Sequence, residues 1–536
     1  MSKKITSIEP VARRGGNEIQ VLIKTTADAT DVERINTKIP EQVETLQDLV
    51  NALGTMAFKN AIEKPKEPSL PCKNLKATSK GTNVSLTWED PDDDTWASTR
   101  IVRKTGGYPT SETDGTIVTT TYIKNQHQSS PFVDSGLVLD TTYYYRAFSC
   151  SVDGIYNTTD YVQTSVRVRS STVMTVILDL SNSNPDNCGS FADDAVTMPY
   201  GKTTDAINQW REFFGYKPCL VKDGVVVGYL KANDYRYFED GGSADITSGS
   251  GGDVMVEFPR RGIRVLTEGN SIHVSMTDAE DDPDFVYYAH TRGSVKKDAF
   301  YLGCYPASLI GGMLRSLSGK AYGTGKTIGN FRNYAHAHGS GYELMTWYQW
   351  MYLQVMYCLQ FRGRLDSQTE VGTGTNESTM NSASGGTANT LGLIYGTTSA
   401  VNHTKLFGLE DIYSGHFQFV DGCMLDSSGN VLTATDGFNN EGSGYTNRGN
   451  VASAGSGYMN SVVGSSELGF FPTAMDGSSS TYFCDFATLR YGCLMAVGKA
   501  FINRNNSEMG IFGMHIDYKS NEGTGWGNSS TRLSYY

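Results

Sequence analysis

Residues 327–372 read TIGNFRNYAHAHGSGYELMTWYQWMYLQVMYCLQFRGRLDSQTEVG, and residues 342–361 within them form the longest apolar run of the chain. Only Glu343, Thr346 and three glutamines interrupt it. Trp347, Trp350, Met351, Leu353, Met356, Tyr357 and Phe361 fall around the whole circumference of a helix, and a helix apolar all round belongs inside a core. A run of about 20 residues is long enough to cross a bilayer. Glutamines and Glu343 lie inside this one, however, and glycines punctuate both ends. The pattern therefore predicts a buried core helix over 341–362 rather than a membrane span, with strands and loops wrapped around it.

At 536 residues the chain exceeds one core, and about three or four domains is the natural expectation. Its 58 glycines and 31 tyrosines suit β-rich domains with tight turns. The net charge of −12 gives no broad attraction to nucleic acid or anionic lipid, and no basic run offsets it. Nine cysteines occur without a Cys-x-x-Cys pair, so free thiols of a protein folded in a reducing cytoplasm are expected, with no metal and no cofactor. The N-terminus lacks the apolar core of a secretory signal, which implies that a chain acting outside the cell leaves by another route, such as virion release.

Residues 1–64 read as an attachment segment. Val43, Leu46, Val50 and Leu53 make a short heptad seam opened by Pro40 and closed by Gly54. Two heptads are too few to stand alone, so the helix either docks on its own chain or trimerises with copies of itself. The stretch 46–62, LQDLVNALGTMAFKNAI, resembles the N-terminal pieces of phage tail-tip fibres. After a Pro- and Lys-bearing linker the pattern changes to period two over 71–170. Residues 83–88, 99–104 and 142–150 alternate as strands, and turn clusters recur at sandwich spacing. With Trp88 on an early strand and Tyr143 in a Thr-Tyr-Tyr-Tyr run, this region resembles a fibronectin type III module. That resemblance implies a spacer in which the Tyr143 hydroxyl ties a loop to the backbone. The acidic turn 90–94 has no calcium-loop spacing and reads as solvated.

Residues 172–295 read as a β-rich middle domain. The stretch from Val173 is apolar on both faces, as a buried strand requires, and further strands are expected at 225–230, 253–258 and 273–276. Residues 210–215 predict a short amphipathic turn, and 242–252 a glycine-serine loop.

Three motifs in 296–536 imitate enzyme sites. GKAYGTGKT at 319–327 has its glycines six apart, not the five a phosphate loop needs, and no apolar strand leads into it. His336 and His338 lack a third metal ligand at sensible spacing. Asp366 and Glu370 follow a helix end and read as a polar turn rather than a glycosidase pair. A different resemblance is carried by SGHFQFVD at 414–421, GKAF at 498–501 and Thr531-Arg532-Leu533. Together with the apolar helix, these resemble the C-type lectin-like fold of the formylglycine-generating-enzyme type. The oxidase members bind copper through a cysteine pair after the second of these motifs. No cysteine follows Phe501, so the resemblance does not carry catalysis over.

The other branch of that superfamily binds ligands and includes phage tropism determinants diversified by retroelements. It implies a stable scaffold of last strands presenting varied side chains on one face. Asn503, Arg504, Asn505, Asn506, Met514, His515, Asp517, Tyr518, Lys519, Asn521, Trp526 and Asn528 would supply that face here. Asn, Tyr and Trp offer hydrogen bonds and rigid aromatic area at low entropy cost. The expectation is thus a multidomain, β-rich chain: a helical attachment segment, a fibronectin-like sandwich, a β-rich middle and an α+β lectin-like end. Its function would be that of a non-enzymatic phage tail receptor-binding protein, made in the host cytoplasm and carried on the virion. It would be homotrimeric, bound to other tail or baseplate proteins, and would recognise a bacterial surface glycan or protein, without nucleic acid or membrane insertion. The alternatives are a structural baseplate protein and, further off, a formylglycine-type enzyme.

Overall fold

Thr346 and Gln349 set where the central helix begins. The Thr346 hydroxyl accepts from the Gln349 N–H, and the Gln349 side chain accepts from the Thr346 N–H, a reciprocal capping box. The helix therefore runs Trp347–Gln360, and all fourteen of its residues are buried. Residues Tyr342–Leu344, expected to be its first turn, instead form a strand that pairs with Leu533–Tyr535. The polar interruptions in the apolar run reach outward from the helix. Gln349 Nε2 donates to Ser534 Oγ (2.9 Å), Gln354 Nε2 to the Ile511 carbonyl (3.0 Å) and Gln360 Nε2 to the Gly201 carbonyl (3.2 Å). Buried amides need partners, and these three tie the helix to segments far away in sequence. No helix among the described residues is long and apolar enough to cross a membrane.

This computed structural model describes residues 67–376, 384–399, 402–450, 454–499, 509–519 and 529–536, and the backbone of three strands nearer the N-terminus. The chain is multidomain and β-rich, dividing into Met1–Ser170 and Ser171–Tyr536. In the first unit, Ile5–Arg14, Glu18–Thr25 and Val32–Lys38 form an antiparallel meander. The expected attachment segment thus contains a sheet, while its heptad seam at 43–53 lies outside the described residues.

Residues 71–170 form a sandwich. One sheet has the order Lys73–Lys80, Asn83–Glu89, Phe132–Asp134, and the other Val162–Arg167, Thr142–Ser151, Trp96–Thr105, Thr116–Thr121. Val84, Leu86 and Trp88 from the first sheet share one core with Ile101, Tyr145 and Ala147 from the second. Asp134 crosses between them, taking the Arg103 guanidinium at 2.6 Å and the Tyr145 hydroxyl at 2.9 Å. The Tyr143 hydroxyl accepts from the Val138 N–H at 3.2 Å, tying down the loop before its strand as expected. The acidic turn is only partly solvated. Asp90 is buried and accepts from Trp88 Nε1 (3.0 Å), Thr99 Oγ1 (2.6 Å) and the Asn125 N–H (2.7 Å). Three donors stabilise a buried carboxylate where water cannot.

In the second unit three large sheets surround the helix. The six-stranded sheet has the order Gly189–Asp193, Val173–Asp179, Ser271–Thr277, Gly262–Glu268, Ser461–Ser465, Gly469–Ala474. The seven-stranded sheet places Asp234–Phe238, Val225–Lys231, Lys217–Lys222 and Asp253–Pro259 beside Ala299–Gly303, Leu533–Tyr535 and Tyr342–Leu344. Both sheets mix strands from either side of the expected boundary at 295/296. Residues 172–295 and 296–536 are therefore one body: strands apolar on both faces need neighbours on both sides, and the later segment supplies them. The amphipathic turn expected at 210–215 is the end of a helix, Thr204–Phe214, with Trp210, Phe213 and Phe214 buried. All nine cysteines are buried.

Candidate functional site

The terminal strands form the interior of the eight-stranded sheet. Cys493–Val497 lies between Phe417–Leu425 and Met514–Lys519, and Ser529–Thr531 runs parallel to Phe417–Leu425 on its other side. Of the side chains expected to face a ligand, Met514 and His515 are each only 1% exposed. The His515 ring packs 4.4 Å from that of Phe417. These two belong to the core, because a strand paired on both edges and covered on both faces has no outward face to offer. Asp517 is half-buried and paired with Arg490 at 2.8 Å. Tyr518 and Lys519 are placed in the strand by their backbone alone. Asn503, Arg504, Asn505, Asn506, Asn521, Trp526 and Asn528 lie outside the described residues.

Arg532 is fully buried. Its guanidinium donates to the carbonyls of Gly303 (2.7 Å), Glu410 (2.7 Å) and Asp411 (3.2 Å) and to Gln418 Oε1 (3.3 Å). Burial pulls its pKa down to about 10, opposed by the charges of Asp411 and Glu410, so it stays cationic at neutral pH. Four acceptors from three elements thereby meet on one planar fork.

Beneath it lies a cluster absent from the sequence-based expectations. Lys405–Leu406 and Leu409–Glu410 form a two-residue hairpin, with Phe407 (φ 51°) and Gly408 (φ 82°) both left-handed. The hairpin sets Lys405 opposite Glu410, both buried. Glu410 accepts from the Gly386 N–H (3.0 Å), the Ala388 N–H (2.8 Å) and Thr387 Oγ1 (3.2 Å), while Lys405 Nζ donates to the Ala388 carbonyl (3.0 Å). Beside them His403 Nδ1 lies 2.5 Å from Asp411 Oδ2, which also takes the Tyr322 hydroxyl at 2.9 Å.

His403, Glu410 and Asp411 are the metal-capable group among the described residues, their ligand atoms all within 4.8 Å of one another. Both Glu410 oxygens already accept N–H bonds, and the cations of Lys405 and Arg532 offset the two carboxylates. The cluster closes electrically without an added ion. Its chemistry is that of a clamp, two buried charges gripping the backbone of 386–388.

The clamp has a pH signature. Burial disfavours the His403 cation, but the hydrogen bond to Asp411 and the charges of Asp411 and Glu410 outweigh it, so its pKa is raised. Burial and the neighbouring Asp411 charge raise Glu410 as well, against the pull of His403, the Ala388 N–H and Lys405. A group raised in the folded state contributes stability that is complete below its unfolded pKa and is lost as pH rises through the folded value. For His403 that window opens at 6.5 and extends upward. Stability should fall across it with a slope of at most ~1.4 kcal/mol per pH unit for one proton. His403→Gln should flatten that slope, measured as urea midpoints from pH 6 to 9; an unchanged slope assigns the loss elsewhere.

The other expected motifs resolve as structural parts. His336 pairs with Glu343 (2.8 Å), while His338 pairs with the buried Asp253 (2.6 Å) and stacks on Tyr342. The two histidines thus serve separate carboxylates. Thr327 caps the helix Ile328–His336, and Asp366 caps the turn Ser367–Glu370, where Glu370 meets Arg364 at 2.7 Å. Gly415, within the 414–421 motif, accepts from the buried Lys499 Nζ at 2.8 Å. Compared with protein-family models and with the curated proteins, the chain matches none.

Proposed function

We propose that this chain is a tail-associated receptor-binding protein of a bacteriophage, recognising a bacterial surface ligand with the C-terminal part of its second unit. The observation that carries the reading is how the final strands are built. Cys493–Val497, Ser529–Thr531 and the described part of Met514–Lys519 are buried almost throughout, and Arg532 locks the chain beyond them. A buried, locked scaffold of this kind is what a lectin-like recognition domain needs beneath the contact residues read at 503–528. The sandwich at 71–170, with three strands against four and the Tyr143 tie, supports the fibronectin type III reading and hence a spacer role. Several copies per particle would convert a modest single-site affinity into firm attachment.

The test is saturable binding of labelled full-length protein to a panel of bacterial cells. Changing Asn503, Asn505, Asn506 and Trp526 together to alanine should weaken it at least about tenfold, equivalent to ~1.4 kcal/mol, at unchanged melting temperature. Binding to no cell type, with retention on purified tail proteins instead, would favour a structural baseplate role.

A further inference from the structure

The charged clamp holds the floor of a cavity of about 400 Å³, inside the roughly 300–1,000 Å³ range of small-ligand sites. Three segments wall it: the turn 236–247, the strand exit at 318 and the stretch 386–390. Backbone bonds stitch them together. Ser318 N–H donates to the Ile246 carbonyl (2.8 Å), Gly319 N–H to Gly385 (2.7 Å), and Tyr235 N–H to Asn389 (3.2 Å). A Cβ on Gly386 would overlap the Ser318 hydroxyl, so the floor meets the wall without a gap. With Glu410 and Lys405 gripping residues 386–388 from below, the cavity is preformed, and ordering it costs a ligand little.

Its lining selects by chemistry. Thr247, Ser318, Thr387 and Thr390 contribute hydroxyls, and Asn389 an amide fixed at both ends, taking the Tyr305 hydroxyl at 2.5 Å and donating to Ser318 Oγ at 3.0 Å. Thr387 donates to Glu410 and Thr247 to Asp245, so these two hydroxyls meet a ligand as acceptors. The one guanidinium, Arg236, is already doubly bonded to Asp234 (2.9 and 2.8 Å), so no free positive charge selects an anion. The one carboxylate, Asp245, is taken up by Thr247, Ser248 and Ser250. Only Ala244 and Ile246 are apolar, too little for a lipid or an aromatic ligand. Hydroxyls and an amide on three sides of a small space, whose one carboxylate already has its donors, fit a small neutral polyol.

We infer that this cavity is a binding site for one or two residues of a neutral saccharide. It does not depend on the phage reading. The test uses full-length protein and a panel of neutral mono- and disaccharides (hexoses, N-acetylhexosamines and their dimers) with sialic acid and a sulfated hexose as charged comparators. Saturation-transfer NMR detects binding, and titration gives Kd. Thr247→Trp and Thr390→Trp, both at exposed positions, are made to fill the mouth separately; Val227→Trp, on an exposed strand position that does not line the cavity, is the control.

The expected result is that at least one neutral sugar binds in the ~mM range or tighter. Either blocking variant should weaken it at least about tenfold with an unchanged melting temperature, and the control should not. No binding by any panel member at about 10 mM overturns the site, as does binding that both blocking variants leave intact, or a preference for the charged sugars. The alanine changes at Asn503, Asn505, Asn506 and Trp526 should leave sugar binding here untouched, which keeps failure of this site distinct from failure of the receptor face.

Discussion

Replacing Arg532 by methionine should destabilise the Ser171–Tyr536 unit by about 3–5 kcal/mol, the usual cost of removing one member of a buried ionic network. Methionine fills similar volume, so packing contributes little of the loss. What disappears is a set of donors: the carbonyls of Gly303, Glu410 and Asp411 and the Gln418 amide oxygen all lose a partner in a dry interior. The Glu410 and Asp411 carboxylates also lose a neighbouring cation. Lysine in the same place restores the charge but not the planar fork, and should recover only part of the loss. Hydrogen exchange of the strands Phe417–Leu425 and Ala299–Gly303 provides the measurement, since both are fastened through this residue. Protection there within about 1 kcal/mol of the parent would mean that the sheets hold without the arginine.

How much of this was legible beforehand depends on the range of the interaction. The central helix was legible because fourteen consecutive residues carry the signal of full burial. Its start was misplaced by six residues because Tyr342–Leu344 is equally apolar, and the deciding information sits in the Thr346–Gln349 box. The sandwich strands at 83–89 and 142–151 were legible from alternation, and the Tyr143 tie from its place in the run.

The boundary at 295/296 was not legible. Pairing of Val256 with Leu302, or of Leu266 with Ser465, leaves no trace in either segment, because each strand looks the same whoever its neighbour is. The same reasoning covers Met514 and His515. An alternating strand announces one polar face only when one of its faces meets water, and this one is enclosed.

The clamp at 403–411 was hidden for another reason. Lys405, Glu410 and Asp411 read as ordinary surface charge, and the turn between them is Phe-Gly rather than the Asn-Gly that marks a tight hairpin. Only the fold shows that both charges turn inward. The available hint was the four apolar or glycine residues at 406–409, too short a hydrophobic stretch for a surface loop to need. Such a cluster costs desolvation energy, and what it provides here is a fixed backbone at 386–388 rather than net stability.

Trp347→Ala should cost about 3–5 kcal/mol, the range for truncating a buried large aromatic. The indole sits at the first position of the central helix, fully buried, with Phe471 edge-on at 5.7 Å. Its Nε1 donates to the Leu468 carbonyl at 2.9 Å. Truncation therefore opens a cavity and orphans a buried acceptor in one step. Gly469 gives a sharper test of the same contact. Its φ is +83°, and a Cβ there would stand 2.7 Å from the Trp347 ring. In the parent, Gly469→Ala should lose about 1–3 kcal/mol from overpacking, in addition to the cost of left-handed backbone in a non-glycine residue. Once Trp347 is alanine the nearest contact is gone, leaving the flexible Met351 side chain, its sulfur at 3.1 Å, and the backbone strain. The two changes should then be less than additive by about 1 kcal/mol or more, in a double-mutant cycle read from urea midpoints. Strict additivity would mean that the indole does not press on the Gly469 turn. The helix would then be joined to the strands Ser461–Ser465 and Gly469–Ala474 by general apolar contact rather than by this one seated ring.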